Sequence, residues 1–273
     1  MEPMSEVVRR YYDRQVEREW GRLEQPYRRL ELVTTMHLIE RYFPKSGHIA
    51  DIGGGPGRYT VELLRRGFQV TLVDLSPRAI AFAKEKLVEL GLRAEATICA
   101  DARDLSMLPS AAFDGALLMG PLYHIVDETG RGRALAELHR VLKPGAPAIV
   151  SFLNPWGILR AGLTEFPKEY EDFDHVRALL ADWLQVGDQE AFTEAVFLTP
   201  SRALAELHAA GFEVVSHAGA EGFAAGLLEE VTRLSEEAPA AYENVLALVR
   251  ETCELPQFRD ATEHLHAVVR KPA

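Results

Sequence analysis

Cysteine is scarce: Cys99 and Cys253 are the only two in 273 residues. Two thiols cannot build a zinc cluster by themselves and no His/Cys spacing resembles one, so no metal site is expected. No disulfide framework is available either, which suits a reducing compartment. No apolar run approaches the ~18 residues of a membrane span. The opening MEPMSEVVRRYYDRQ lacks the apolar stretch of a secretory signal. The reading is a cytoplasmic chain with no membrane partner. Positive charge is in the minority, 30 basic against 41 acidic residues, for a net charge of −11. Broad nucleic-acid binding needs clustered Lys and Arg, so this balance disfavours it and leaves open only a local basic groove. There is no internal repeat and no low-complexity tract. The oligomeric state is not legible.

What is present is a normal supply of core. Hydrophobic residues make up 47% of the chain, enough to stabilise one large α/β domain or one domain with an insertion. Residues 1–45 read as an N-terminal helical lid. Val7, Tyr11, Val16 and Trp20 approximate one face, and Leu30, Val33, Met36 and Ile39 form a second stripe. Pro44-Lys45-Ser46-Gly47 ends it. The pattern then becomes strand, turn, helix over residues 46–153, the core. Strands are expected at 48–52, 69–74, 94–100, 113–119 and 148–153, and helices at 59–66, 77–90 and 131–142. Ser76 suits an N-cap and Pro77 a first helical turn. Such alternation predicts a parallel sheet with helices on both faces. Residues 154–198 break the alternation and mix acids with Trp156, Phe166, Tyr170, Phe173, Trp183, Phe192 and Phe197. They read as an insertion capping the strand ends, its aromatics divided between an acceptor pocket and a core of their own. Residues 199–273 return to the core, with strands at 212–217 and 263–270 and a helical insertion between them.

Three strand ends carry chemistry. Asp51-Ile52-Gly53-Gly54-Gly55-Pro56-Gly57 follows the first strand and opens a helix. Glycines at 53, 55 and 57 allow φ > 0 and close approach of a ligand to the backbone. The dinucleotide pattern G-x-G-x-x-G would need glycine where Arg58 stands, so the spacing disfavours that ligand. Asp74 closes the second strand, where a carboxylate can accept from both hydroxyls of a ribose. Asp101-Ala102 closes the third, where an acid and a backbone N–H can read a base edge. The plainer alternatives are a helix cap for Asp74 and a loop aspartate for Asp101. In open α/β sheets these ends share the carboxyl edge, the usual ligand crevice.

On these residues the chain resembles the class I S-adenosylmethionine-dependent methyltransferase superfamily. The matching stretches are HIADIGGGPGRYT, VTLVDLSPRAIAFAKEK, CADARDL, FDGALLMGPLYHI and LHRVLKPGAPAIVSF. The resemblance implies a Rossmann-like doubly wound seven-stranded sheet in order 3-2-1-4-5-7-6, the last strand antiparallel, with a helical insertion after strand five. It implies S-adenosyl-L-methionine as cofactor. Gly53, Gly55 and Gly57 would lie against its methionine part, with Asp51 orienting the amino group and the backbone of Met119 facing the amino acid end. Asp74 would hold the ribose, Leu75 would flank the adenine, and Asp101 and Ala102 would read its edge. Arg28, or Arg29 in its place, would take the carboxylate, unless both are surface residues. His124 stands after the fourth strand, where a base could remove an acceptor proton. Tyr123 could shape the pocket beside it, and Tyr11 and Tyr12 could fold over the cofactor. His175 beside Asp174 is discounted as a dyad, because helix neighbours point apart. The leading expectation is methyl transfer to a small-molecule acceptor. The alternatives are a tRNA- or RNA-modifying methyltransferase and a non-catalytic cofactor-binding protein.

Overall fold

The computed structural model describes residues 4–182, 184–185 and 193–273. Seven strands form one sheet: β1 (His48–Ile52), β2 (Gln69–Asp74), β3 (Ala96–Cys99), β4 (Gly115–Leu118), β5 (Pro147–Leu153), β6 (Glu213–Gly219) and β7 (His264–Arg270). Their order is β3-β2-β1-β4-β5-β7-β6. The first five run parallel, and β7 runs antiparallel to both of its neighbours. The expected topology is observed.

Register decides where the chemistry collects. Ile52 pairs with Val73 of β2 and Leu118 of β4, and Asp74 pairs with Cys99 of β3. The residues that follow, Gly53, Leu75, Ala100 and Met119, therefore leave the sheet along one edge. The strand order reverses between β1 and β4, so the crevice opens at that point. Alternation along the strands feeds two cores. Ala50, Ile52, Ala116 and Leu118 pack to one side, and Ile49, Leu117 and Ile149 to the other.

Local signals set the helices. Ahead of β1, the expected helical lid is two helices, α1 (Met4–Arg22) and α2 (Arg29–Tyr42), with Pro26 in the turn between them. Proline lacks the N–H that would continue a helix. After β1 comes α3 (Arg58–Arg65). The side chain of Ser76 accepts from Ala79 N and opens α4 (Pro77–Glu89). A short turn, α5 (Pro121–His124), follows β4, and Asp127 caps α6 (Glu128–Val141). Arg131, wholly buried, ties the α5–α6 junction: its guanidinium donates to the carbonyls of Ile125 and Val126 and pairs with Glu206.

The segment after β5 holds α7 (Pro155–Glu165), a 3-10 turn (Pro167–Glu171) and α8 (Phe173–Asp182). A two-strand ribbon then joins residues 184–185 to 195–196. Helix α9 (Pro200–Ala209) precedes β6. The last helical stretch is split by Pro239 into α10 (Leu228–Glu237) and α11 (Pro239–Thr252), and α12 (Pro256–Arg259) leads to β7. Among the described residues, no helix is long and apolar enough to cross a membrane.

Candidate active site

The glycine turn is built by φ > 0. Gly53, Gly55 and Gly57 sit at φ +74, +53 and +86. The amides of Gly53 and Gly54 both donate to the carbonyl of Val73, which ties the turn to β2. Each glycine answers a different need. A Cβ on Gly53 would lie 2.3 Å from the Pro121 ring, whereas a Cβ on Gly55 would meet no atom within 4 Å. Gly55 thus forms a cradle that a side chain would fill. Gly57 caps α3 in the left-handed conformation and lies outside the cleft wall. Asp51 also lies outside the wall, 1% exposed beneath the turn. Its Oδ2 accepts from Thr60 Oγ1 at 2.6 Å, and its Oδ1 is buried without a partner. Burial pushes this carboxyl up to about 6.

Asp74 clamps two loops. Its Oδ2 accepts from Gly55 N and its Oδ1 from Ser76 N, both at 2.8 Å. The carboxylate therefore bridges the turns after β1 and β2. Burial pushes it up to about 6 against the pull of those two amides. Asp101 is held by Arg103, with Nε at 2.9 Å and backbone N at 2.8 Å from its Oδ1. Despite partial burial, these bonds keep it below the usual carboxylate range. Gly53, Gly55, Asp74, Leu75, Asp101, Ala102, Met119, Tyr123 and His124 all line one cleft.

The roof of that cleft is α1. Val8, Tyr12, Val16, Glu19 and Leu23 face the cavity. That face runs in steps of three and four and shares only Val16 with the stripe through Val7, Tyr11, Val16 and Trp20. The helix is pinned by Ser76 Oγ donating to Asp13 and by Arg78 donating to Glu17. Tyr12 Oη lies 2.7 Å from His124 Nε2, and His124 Nδ1 lies 2.9 Å from the carbonyl of Glu194. Burial lowers His124 to about 4. Tyr123 is pushed above its ordinary value, also by burial.

Two expectations need correction. Arg28 does not line the cleft. It pairs with Glu165 and Glu263 at 2.8 and 2.7 Å away from the cleft wall, while Arg29 is exposed. Arg22 lines the cavity instead, paired with Glu31 at 2.6 Å and with Glu19 at 3.2 Å. Tyr59, on the helix that the glycine turn opens, also donates to Glu31. Burial alone would raise Glu31, yet Arg22 holds it well below the carboxylate range. Secondly, Trp156, Phe166 and Phe173 of the insertion are exposed, and none of them lines the cleft. Tyr170 donates to the Leu159 carbonyl, and Phe197 is buried in a small core with Leu153 and Ala195. Trp183 and Phe192 lie outside the described residues. His175 pairs with Glu169 rather than Asp174. Helix α1 lies within residues 1–45, read from the sequence as a lid, and Tyr12 of that lid reaches the cleft while Tyr11 does not line it. A heptad-like reading of Val8, Tyr12, Val16, Glu19 and Leu23 could have found that face.

The fold and the cleft define a doubly wound α/β protein with its ligand crevice at the topological switch point. Residues 49–145 match the methyltransferase domain family. Over those residues the chain is similar to the class I S-adenosylmethionine-dependent methyltransferase superfamily, whose cofactor is S-adenosyl-L-methionine. It is 30% identical over 131 residues to a ubiquinone biosynthesis O-methyltransferase of Xanthomonas axonopodis pv. citri, covering 48% of this chain and 53% of that protein. The chain thus spans about half the length of that relative. It is 24% identical over 231 residues to the tRNA 5-carboxymethoxyuridine methyltransferase of Escherichia coli, covering 84% of this chain and 82% of that one. In fold it resembles an S-adenosylmethionine-dependent methyltransferase of Methanosarcina mazei, with TM-score 0.59, 20% identity, and coverage of 86% of this chain and 97% of the other. It also resembles a Burkholderia thailandensis 1,6-didemethyltoxoflavin-N1-methyltransferase bound to S-adenosylhomocysteine, with TM-score 0.58, 18% identity, and coverage of 98% and 88%.

Proposed function

We propose that this chain transfers a methyl group from S-adenosylmethionine to a small-molecule acceptor by in-line displacement. The observation that carries the reading is the Asp74 bridge between Gly55 N and Ser76 N, set at the rim of a cleft roofed by α1. The residues suit the cofactor. Gly55 leaves the space a ligand backbone contact needs, and Asp51 keeps one buried acceptor without a donor. In this reading Asp74 takes the ribose, and Leu75, Asp101 and Ala102 flank the adenine. Gly53 and Met119 surround the amino acid end, with Asp51 supporting the turn from beneath. Arg22 takes the carboxylate role expected of Arg28.

The bound cofactor supplies a methyl group already activated by its positive sulfur. What remains for the chain is placement and dryness. Holding two reactants in line is worth ~7–11 kcal/mol. Helix α1 closes the cavity against water with Val8 and Val16, continued by Leu23 just past its end, while Tyr12, Tyr123 and His124 stand at the acceptor side.

The span of the tRNA-modifying relative favours a second reading, an RNA acceptor. The two separate in one assay: release of S-adenosylhomocysteine from the full chain, with small hydroxyl, amine and carboxylate compounds or with tRNA, across a salt series. A small-molecule enzyme should show acceptor-dependent release that changes little with salt. An RNA enzyme making 6–10 phosphate contacts should lose about 10³–10⁵ in affinity between about 50 and 200 mM salt. Cofactor binding with no release for any acceptor would leave the non-catalytic reading standing.

Cofactor affinity should also depend on pH. A ribose diol donates, so it needs the Asp74 carboxylate ionised, and burial has moved that ionisation to about 6. Binding should tighten as pH rises through 6 and level off above it. Below 6 it should weaken by up to about tenfold per pH unit for one linked proton. Calorimetry with S-adenosylhomocysteine at pH 5 and pH 7.5 checks this, and equal affinities would remove Asp74 from the ribose.

A further inference from the structure

We propose that Tyr12 and His124 form a proton relay, in which Tyr12 takes the proton of a hydroxyl or amine acceptor as the acceptor is methylated and passes its own proton to His124. The inference deepens the methyl-transfer reading above and rests on it. It also narrows the acceptor to one that carries an exchangeable O–H or N–H at the methylated atom.

The direction of the bond follows from one backbone carbonyl. His124 Nδ1 lies 2.9 Å from the carbonyl oxygen of Glu194. A carbonyl can only accept, so Nδ1 carries the hydrogen. In the neutral ring Nε2 is then a lone pair, and the Tyr12 hydroxyl 2.7 Å away donates to it. The rings meet edge to face, with centroids 5.3 Å apart at 75°, and Tyr123 packs on the imidazole at 4.7 Å. His124 is 8% exposed, at the base of the cleft, while Tyr12 reaches in from the roof. Tyr12 is thus the catalytic group and His124 the positioning and proton-storing group behind it. Seen from the sequence alone, His124 was the base and Tyr12 a lid. The structure puts them in series.

Charge and atoms balance. The donor's S–CH3 bond breaks and an acceptor X–CH3 bond forms. The X–H bond breaks, its proton goes to Tyr12 Oη, and the Tyr12 proton goes to His124 Nε2. The positive charge that began on the donor sulfur ends on the imidazolium, so the dry cleft holds the same net charge before and after. That avoids creating a charge pair in a medium of low dielectric, where separation is expensive. Burial holds both groups neutral at the start: the phenol well above its ordinary value and the imidazole down at about 4. A weak base suffices, because an oxygen or nitrogen that is gaining a methyl group becomes strongly acidic. A carboxylate acceptor carries no such proton and would leave the relay idle.

The test uses the full chain with S-adenosylmethionine and a panel of phenols, aliphatic alcohols, primary amines and carboxylic acids. The variants are Tyr12→Phe, His124→Gln and the double. Glutamine can still accept the Tyr12 hydroxyl but cannot take its proton, so it separates the relay from a merely structural bond. Each single variant should lower kcat for hydroxyl or amine acceptors about a hundredfold or more, the usual range for a lost general base. KM and S-adenosylhomocysteine affinity should be unchanged. The double variant should be no slower than the slower single, as expected of groups acting in one unit. Nitrogen-15 NMR of the wild-type chain with S-adenosylhomocysteine should show His124 protonated at Nδ1 only, with the Nε2 resonance moving in Tyr12→Phe. The proposal is overturned by wild-type kcat in either single variant, by an Nε2-protonated tautomer, or by a wild-type chain that methylates only carboxylic acids. The last result would leave methyl transfer itself intact. Failure to bind S-adenosylhomocysteine would remove the underlying function and the relay with it.

Discussion

Gly53→Ala should abolish measurable cofactor binding and strongly lower the melting temperature, whereas Gly55→Ala should lose affinity at a smaller cost in stability, that of backbone strain alone. At Gly53 two penalties combine. The backbone sits at φ +74, which costs an L-residue roughly 1–2 kcal/mol. The new methyl would lie 2.3 Å from Cγ and Cδ of Pro121 and 3.4 Å from the Met119 carbonyl. Overpacking of this kind typically costs ~1–3 kcal/mol, and a proline ring cannot rotate aside. Pro121 opens the short helix that carries Tyr123 and His124, so any accommodation displaces both. At Gly55 the strain is similar, φ +53, but nothing lies within 4 Å of the added methyl. That methyl would point into open cleft, where a ligand would have to stand. Thermal melting and calorimetry with S-adenosylhomocysteine on both variants distinguish the two effects. Wild-type affinity in Gly53→Ala would mean that the ligand does not use this turn.

Asp74→Asn should be at least as damaging as Asp74→Ala, weakening S-adenosylhomocysteine by two orders of magnitude or more. The carboxylate accepts from Gly55 N through one oxygen and from Ser76 N through the other. An amide offers a single acceptor oxygen, and its NH2 would face whichever backbone N–H the oxygen does not. The isosteric change therefore puts donor against donor inside the bridge. Hydrogen bonds to a charged partner are worth ~1.5–3 kcal/mol each, and ribose would lose them together with the loop geometry. Ser76 also donates to Asp13 on α1, so loosening its loop should loosen the roof. Retained affinity in Asp74→Asn, measured at pH 7.5, would sink the bridge as the cofactor's anchor.

The core was legible because its signals are local. Strands of four to seven residues bounded by glycine and proline, a Ser76 cap, and glycines before α3 announce a repeating unit without reference to anything distant. The sites at strand ends followed, since parallel pairing must bring successive carboxyl ends to one edge. Boundaries moved by a residue or two, as at β3 and β4, because pairing partners decide where a strand stops. The errors were all of one kind. Arg28 was placed by its position before the sheet, but Glu165 and Glu263 approach it from segments far along the chain. The aromatics of 154–198, expected to divide between a pocket and a core of their own, place Phe197 in a small core, yet Trp156, Phe166 and Phe173 face out. The stripe on α1 was read one face away, since polar Glu19 and Arg22 interrupt the face that covers the cleft.

By itself, the order of amino acids determined the alternating architecture, the left-handed glycines and the carboxylates at the strand ends, because each depends on neighbours within a few positions. Tertiary structure alone decided which face of the N-terminal lid roofs the cavity, which arginines line it, and that a tyrosine near the start of the chain donates to a histidine after the fourth strand. The roof and the relay rest on contacts between distant segments, 63 residues apart for Ser76 and Asp13 and 112 for Tyr12 and His124. No local periodicity records such a contact; it exists only once the sheet has closed and the helices have packed against its edge.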